Sequence, residues 1–129
     1  MERVWHSAYA KGVPNAVQFD DVSLNDAFRK TVSRFGDRPA LMFQERVITF
    51  RELDQMVARF AAALVKLGVK PGDKVSLILP NLVQTVVGIY GSLAAGAVVV
   101  MHNPRLDDML LEFQINDAGS TVLLCLDIL

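Results

Sequence analysis

The 30 residues from Val75 to Pro104 contain no Lys, Arg, Asp or Glu. A run of that length either crosses a bilayer or is buried in a core, so it constrains the fold more than any other feature. Its punctuation favours the core. Pro80-Asn81 interrupts it, Gln84, Thr85 and Ser92 dot it, and the β-branched Val98-Val99-Val100 after Gly96 reads as a strand buried on both faces. Strand, helix and strand account for these breaks and a single helix does not, so no membrane span is expected. Gly91 and Gly96 share the G-x-x-x-x-G spacing of a phosphate-binding loop. Such a loop runs from strand into helix and continues with Lys and then Ser or Thr. Here Ala97-Val98 follow and the order is reversed, so Gly96 is read as a helix C-cap.

The flanking sequence repeats the same grammar. Ser23 precedes an apolar stripe of Leu24, Ala27, Phe28, Val32 and Phe35, which predicts a helix over 24–35 that stops at Gly36-Asp37. Ala40–Phe43, a turn at Gln44-Glu45-Arg46 and Val47–Thr49 read as a β-hairpin. Thr49 and Glu52 form a capping box, and Leu53, Met56, Val57, Phe60, Ala61, Leu64 and Val65 line one face of the helix that follows, up to Gly68. Lys70-Pro71-Gly72-Asp73 is a tight turn into a strand over 74–79, and Asn81 is placed as the next N-cap. The helix over 82–95 is apolar almost all round and needs cover on most sides. A strand over 97–101, a short helix capped by Asp107 and closed by Ala118-Gly119, and a strand over 121–126 complete the chain. The expected fold is therefore α/β: alternating strand-helix units form a parallel sheet covered by helices, preceded by a short β-hairpin and an N-terminal arm. The arm spans 1–20 and the α/β subdomain 21–129.

Composition removes several classes of function. A formal charge of -1 and a pI near 6.1 give no basic field, so nucleic acid is not an expected partner. Cys125 is the only cysteine, which excludes an intrachain disulfide, and the start MERVWHSAYAKGVP has no apolar secretory core, so a cytoplasmic location is expected. With His6 and His102 the only histidines, a closed zinc site is excluded by count. Cys125 within Leu123–Leu126 reads as packing rather than as a nucleophile, and Ser92 lacks the G-x-S-x-G context of a nucleophile elbow. Asp107-Asp108 is explained by a helix N-terminus. Open parallel sheets take ligands at the carboxyl ends of their strands, here Pro80-Asn81, His102-Asn103-Pro104-Arg105 and Asp127. Of these, His102, Asn103 and Arg105 are the candidates for orienting an anionic or carbonyl group. The competing reading makes Asn103-Pro104 a turn and His102 a hydrogen-bonded structural residue. No residue is assigned as catalytic, cofactor-binding or metal-ligating.

Several stretches, in order and in spacing, resemble the adenylate-forming enzymes, most closely the long-chain fatty-acid–CoA ligases. They are Ile48-Thr49-Phe50-Arg51-Glu52-Leu53, Leu67–Val75 with Leu79-Pro80-Asn81, Leu93–Val100 with Asn103-Pro104-Arg105, and Gln114–Gly119. Trp5, Tyr9 and Gly12-Val13-Pro14 resemble the start of fatty-acid members. The resemblance implies a parent that condenses a carboxylic acid with ATP, assisted by magnesium, and then passes the acyl group to coenzyme A. That chemistry needs a Ser/Thr/Gly-rich loop ending in Lys, an aromatic-Gly-x-Thr-Glu segment, a ribose-binding Asp and a late lysine, none of which occurs in this sequence. The chain thus resembles the N-terminal portion of such an enzyme and is expected to be inactive alone. Its implied partners are the rest of the parent, a second copy in a homodimer, and a membrane surface met peripherally by the parent. Part of the 82–95 helix is then expected to be exposed and to drive self-association. The alternative is a stand-alone α/β interaction or dimerisation module without catalysis.

Overall fold

The computed structural model describes residues 3–127; positions 1, 2, 128 and 129 of the predicted arm and subdomain lie outside them. After a 3-10 turn at Val4–Ala8 and an extended stretch, the elements run α1 (Leu24–Phe35), β1 (Pro39–Phe43), β2 (Arg46–Thr49), α2 (Phe50–Lys66), β3 (Lys74–Ile78), α3 (Val83–Ala94), β4 (Val98–Met101), α4 (Asp108–Ala118) and β5 (Val122–Cys125). β1 and β2 form an antiparallel hairpin, and the other three strands form a parallel sheet in the order β4-β3-β5. The expected α/β fold is the observed one.

Helix ends lie where local chemistry puts them. The Ser23 hydroxyl accepts the Asp26 N–H at 3.0 Å and the Asp107 carboxylate accepts the Leu110 N–H at 2.9 Å. Gly68, Gly96 and Gly119, at φ of 95°, 81° and 64°, take the left-handed conformation after α2, α3 and α4. Thr49 and Glu52 close the predicted capping box, the Glu52 carboxylate accepting the Thr49 N–H at 2.8 Å. That bond, and the one from the Thr49 hydroxyl, hold the Glu52 carboxyl below its usual 4.5. A carboxyl with a lowered pKa stabilises the fold above its unfolded-state value, and the gain is lost as pH falls through the folded value. Glu52→Gln should therefore melt below the parent at pH 7, and the gap should close as pH falls through the lowered folded-state value, as read by circular dichroism.

Two boundaries depart from expectation. The hairpin turn is the two-residue Gln44-Glu45, with Arg46 already paired to Phe43 and Gln44 at φ 53°. α3 has Leu82 at its N-cap, not Asn81: the Thr85 hydroxyl donates to the Pro80 carbonyl and the Thr85 N–H to Leu82 O at 3.2 Å, so the Asn81 amide caps nothing.

β3 is the buried strand, and its alternation divides two layers. Val75 and Leu77 face α2 and α3, where they pack with Leu64, Val69, Ala97, Phe60 and Ile89. Ser76 and Ile78 point to the other face, beneath α4, where Ile78 shares a cleft with Leu111 and Ile115. α3 and α4 lie on opposite faces, as right-handed crossovers running in opposite directions along a sheet require. A second core between α1, the hairpin, α2 and α3 gathers Phe28, Ile48, Leu53, Val57 and Val87, with the Phe28 and Tyr90 rings 4.6 Å apart.

Strand order decides what is covered. β4 and β5 are edge strands, so Val98, Met101, Leu123 and Cys125 are exposed, against the expectation of a doubly buried β4 and a packed Cys125. α3 is covered by α2, α1 and the sheet and leaves no large apolar side chain exposed, so the exposed apolar face expected on it is not found. The other exposed large apolar residues are Met42, Phe43 and Val47 on the hairpin, Met109, Leu110 and Phe113 on α4, Leu24 on α1, Leu67 after α2, Val65 on α2 against its expected place on the apolar face, and Val4, Trp5, Tyr9, Val13, Val17, Phe19 and Val22 before α1. No helix among the described residues is long and apolar enough to cross a membrane. Within α3 the fully buried Ser92 hydroxyl has no partner. Since an unpaired buried hydroxyl costs about 1–3 kcal/mol, Ser92→Ala should raise the urea midpoint.

Candidate functional site

The carboxyl ends of β3 and β4 carry the residues that sequence reasoning singled out, and the structure separates them. Asn81 and Met101 line an apolar groove of about 400 Å³ with Leu41, Met42, Phe43, Leu82, Val83 and Val86, between the hairpin and the start of α3. His102 points instead into the body and is 5% exposed. Its backbone N–H extends the ladder to Leu77 O at 3.0 Å. Asn103 and Arg105 share one turn, in which the Asn103 side-chain oxygen accepts the Arg105 N–H at 3.0 Å and the Asn103 carbonyl accepts the Leu106 N–H at 3.2 Å. Both side chains are exposed, as is Asp127 past the end of β5. The only ion pair among the described residues joins Arg51 to Asp37 at 3.0 Å, at the far end of α1.

A polar cluster that the sequence did not reveal surrounds His102. Its Nε2 lies 2.7 Å from the Ser76 hydroxyl, which lies 2.6 Å from the Ser120 hydroxyl, and its Nδ1 lies 3.1 Å from Gln114 Oε1. Serine, imidazole and a side-chain oxygen in line have the outline of an activated nucleophile. Ser76, however, is wholly buried, so no substrate reaches its oxygen. Ser76 was legible only as a polar residue inside a strand, and its partners are 26 and 44 residues away.

The glycines offer no phosphate cradle. A Cβ at Gly91 would stand 2.6 Å from Phe60 Cδ1, so this glycine exists to let α3 approach α2. The N–H groups of Gly96 and Ala97 are spent on Leu93 O and Ser92 O. Among the described residues, no three His, Cys, Asp or Glu side chains come together to hold a metal. The described residues do not fit a nucleoside triphosphate with its magnesium.

Comparison with known proteins supplies what the geometry lacks. A profile of the AMP-binding enzyme family matches residues 28–128. A long-chain-fatty-acid–CoA ligase of Escherichia coli O6:H1 is 41% identical over 125 residues, covering 95% of this chain and 22% of the relative. Among solved structures, the N-terminal subdomain of Klebsiella oxytoca NpsA in complex with 3-hydroxyanthranilyl-AMSN superposes with a TM-score of 0.74 at 29% identity, over 78% of this chain and 26% of that one. The unliganded O-succinylbenzoate coenzyme A synthetase of Bacillus subtilis superposes with a TM-score of 0.72 at 27% identity, over 74% and 21%. The chain thus spans about a fifth of the length of the curated relatives it matches.

Proposed function

The chain belongs to the AMP-binding enzyme family, and from that premise we propose that it is the N-terminal portion of a fatty-acid–CoA ligase and is inactive by itself. The observation that carries this reading is the 41% identity to a long-chain-fatty-acid–CoA ligase across 95% of the chain. The parent joins a fatty carboxylate to ATP as an acyl-adenylate with release of pyrophosphate, and transfers the acyl group to the thiol of coenzyme A with release of AMP. Magnesium, ATP and coenzyme A are cofactors and substrates of that larger protein. This chain contributes packing: a three-stranded sheet with helices on both faces.

The exposed apolar residues support the same reading. The edges of β4 and β5, the outer face of the hairpin and the outer face of α4 are the surfaces that the remainder of the parent would cover. Left uncovered, they favour self-association of the isolated chain. The partners of the chain are thus the remainder of the enzyme and, through the exposed aromatic arm, a second copy; the parent works in the cytoplasm and meets membranes only peripherally. His102, Asn103 and Arg105 stay at the ligand-accepting end of the sheet without forming a site of their own. The reading is tested by palmitate-dependent exchange of pyrophosphate into ATP. The 129-residue chain should give only background exchange, and exchange that depends on palmitate would overturn the inactivity.

The two continuous cores favour one second reading, a stand-alone α/β module that binds partners or dimerises. A single cooperative unfolding transition together with a defined dimer in light scattering would select it over an aggregating piece of a ligase.

A further inference from the structure

α4 is the one helix of the body, among the described residues, without a buried residue, and Met109, Leu110 and Phe113 face outward. Between its inner face and the sheet lies an open cleft lined by Leu111, Ile115, Ile78 and Leu123. Apart from the Asp107 cap, one side-chain hydrogen bond among the described residues joins the helix to the rest of the chain, between His102 Nδ1 and Gln114 Oε1. His102 in turn reaches β3 through Ser76, and Ser76 reaches the entrance of β5 through Ser120.

The donors and acceptors close in one direction. Gln114 presents its Oε1 to the ring, an oxygen that only accepts, so His102 Nδ1 carries the hydrogen. Nε2 is then the acceptor and takes the Ser76 hydroxyl hydrogen, which leaves the Ser76 oxygen to accept from Ser120. The three bonds then run one way, from Ser120 to Ser76 to His102 to Gln114, and none of the four side chains is left with a buried unpaired polar atom. The relay reaches the surface at its two ends, Gln114 and Ser120, both half-buried.

We propose that His102 is the latch of α4: a positioning residue, held as the Nδ1–H tautomer, that clamps the helix to the central strand and thereby fixes the Asn103–Arg105 turn between the two. The turn leaves the body at a buried ring and re-enters at the Asp107 cap, so with the latch closed both its ends are anchored. The inference does not depend on the ligase reading, because it concerns contacts within this chain alone. Two near-isosteric replacements divide the latch. His102→Asn keeps an N–H near the position of Nδ1 and so keeps the donor to Gln114; His102→Gln keeps an acceptor near the position of Nε2 and so keeps only the bond from Ser76.

The test is amide hydrogen exchange of the 129-residue chain read by mass spectrometry, with the 15N resonances of the histidine rings recorded on the unaltered protein. Loss of one buried hydrogen bond is worth about tenfold in a local opening constant. His102→Gln should therefore speed exchange in 108–118 by about tenfold with α2 and β3 unchanged, while His102→Asn should stay within about threefold of the parent there. Unchanged exchange in α4 of His102→Gln, or a rise spread evenly over the chain, would overturn the latch. So would a 15N spectrum showing His102 protonated at Nε2 and not Nδ1, a readout that requires no variant to fold.

Discussion

Leu77→Ala should lower the unfolding free energy by about 4 kcal/mol, the upper part of the range for a buried leucine truncated in a close-packed core. Leu77 is fully buried on the central strand, and it meets both the α2 layer through Leu64 and Phe60 and the α3 layer at Gly88, where a Cβ would stand 3.4 Å from its methyl carbons. Its neighbours cannot collapse into the vacated space, because β3 is hydrogen-bonded on both sides and fixed in register to Val98–Met101 and Val122–Cys125. A loss of this size is a large share of the 5–15 kcal/mol typical of a domain. It should appear as a drop in melting temperature of about 15 °C. The control is Leu110→Ala on the outer face of α4, where the side chain is exposed and the change should fall within about 0.5 kcal/mol.

The second large effect comes from adding atoms. Gly91→Val should cost about 3 kcal/mol, at the upper end for an overpacked core. The new Cβ would stand 2.6 Å from Phe60 Cδ1 and 3.2 Å from the Val57 carbonyl oxygen. Phe60 cannot move aside freely, since it packs against both cores at once. Gly91→Ala separates two opposed terms: alanine gains up to about 1 kcal/mol in helix propensity, yet its Cβ meets the same ring. The contact wins, and Gly91→Ala should still destabilise. The pairing with Phe60 is tested by a double-mutant cycle, in which Phe60→Leu should make Gly91→Ala less costly by about 1 kcal/mol or more. Additivity of the two changes would show that the close approach of α3 to α2 is not what Gly91 provides.

What the sequence revealed and what it hid follow from the range of the forces involved. The starts of α1, α2 and α4 were legible because Ser23, Thr49 and Asp107 bond to groups three residues on, and the ends of α2, α3 and α4 because a glycine alone takes the left-handed turn without strain. Asn81 misled because a better local arrangement, Thr85 to Pro80, won the start of α3. The exposure of Cys125 and of Val98 follows from strand order, which depends on which strand lies in the middle and leaves no mark on local periodicity. For the same reason His102 was visible as a strand-end histidine, while its burial against Ser76 and Gln114 was not. The family was legible in the order of short motifs, and those motifs prove to be caps, turns and close-packed glycines of a scaffold.

The central claim is that this chain is the scaffolding start of an acyl-activating ligase. It is tested most directly by reading the coding DNA past the codon for Leu129. The account predicts an open frame that, within a few hundred codons, encodes a Ser/Thr/Gly-rich loop ending in Lys. A stop codon directly after Leu129 would contradict it and leave a module whose partners, not its chemistry, define its role.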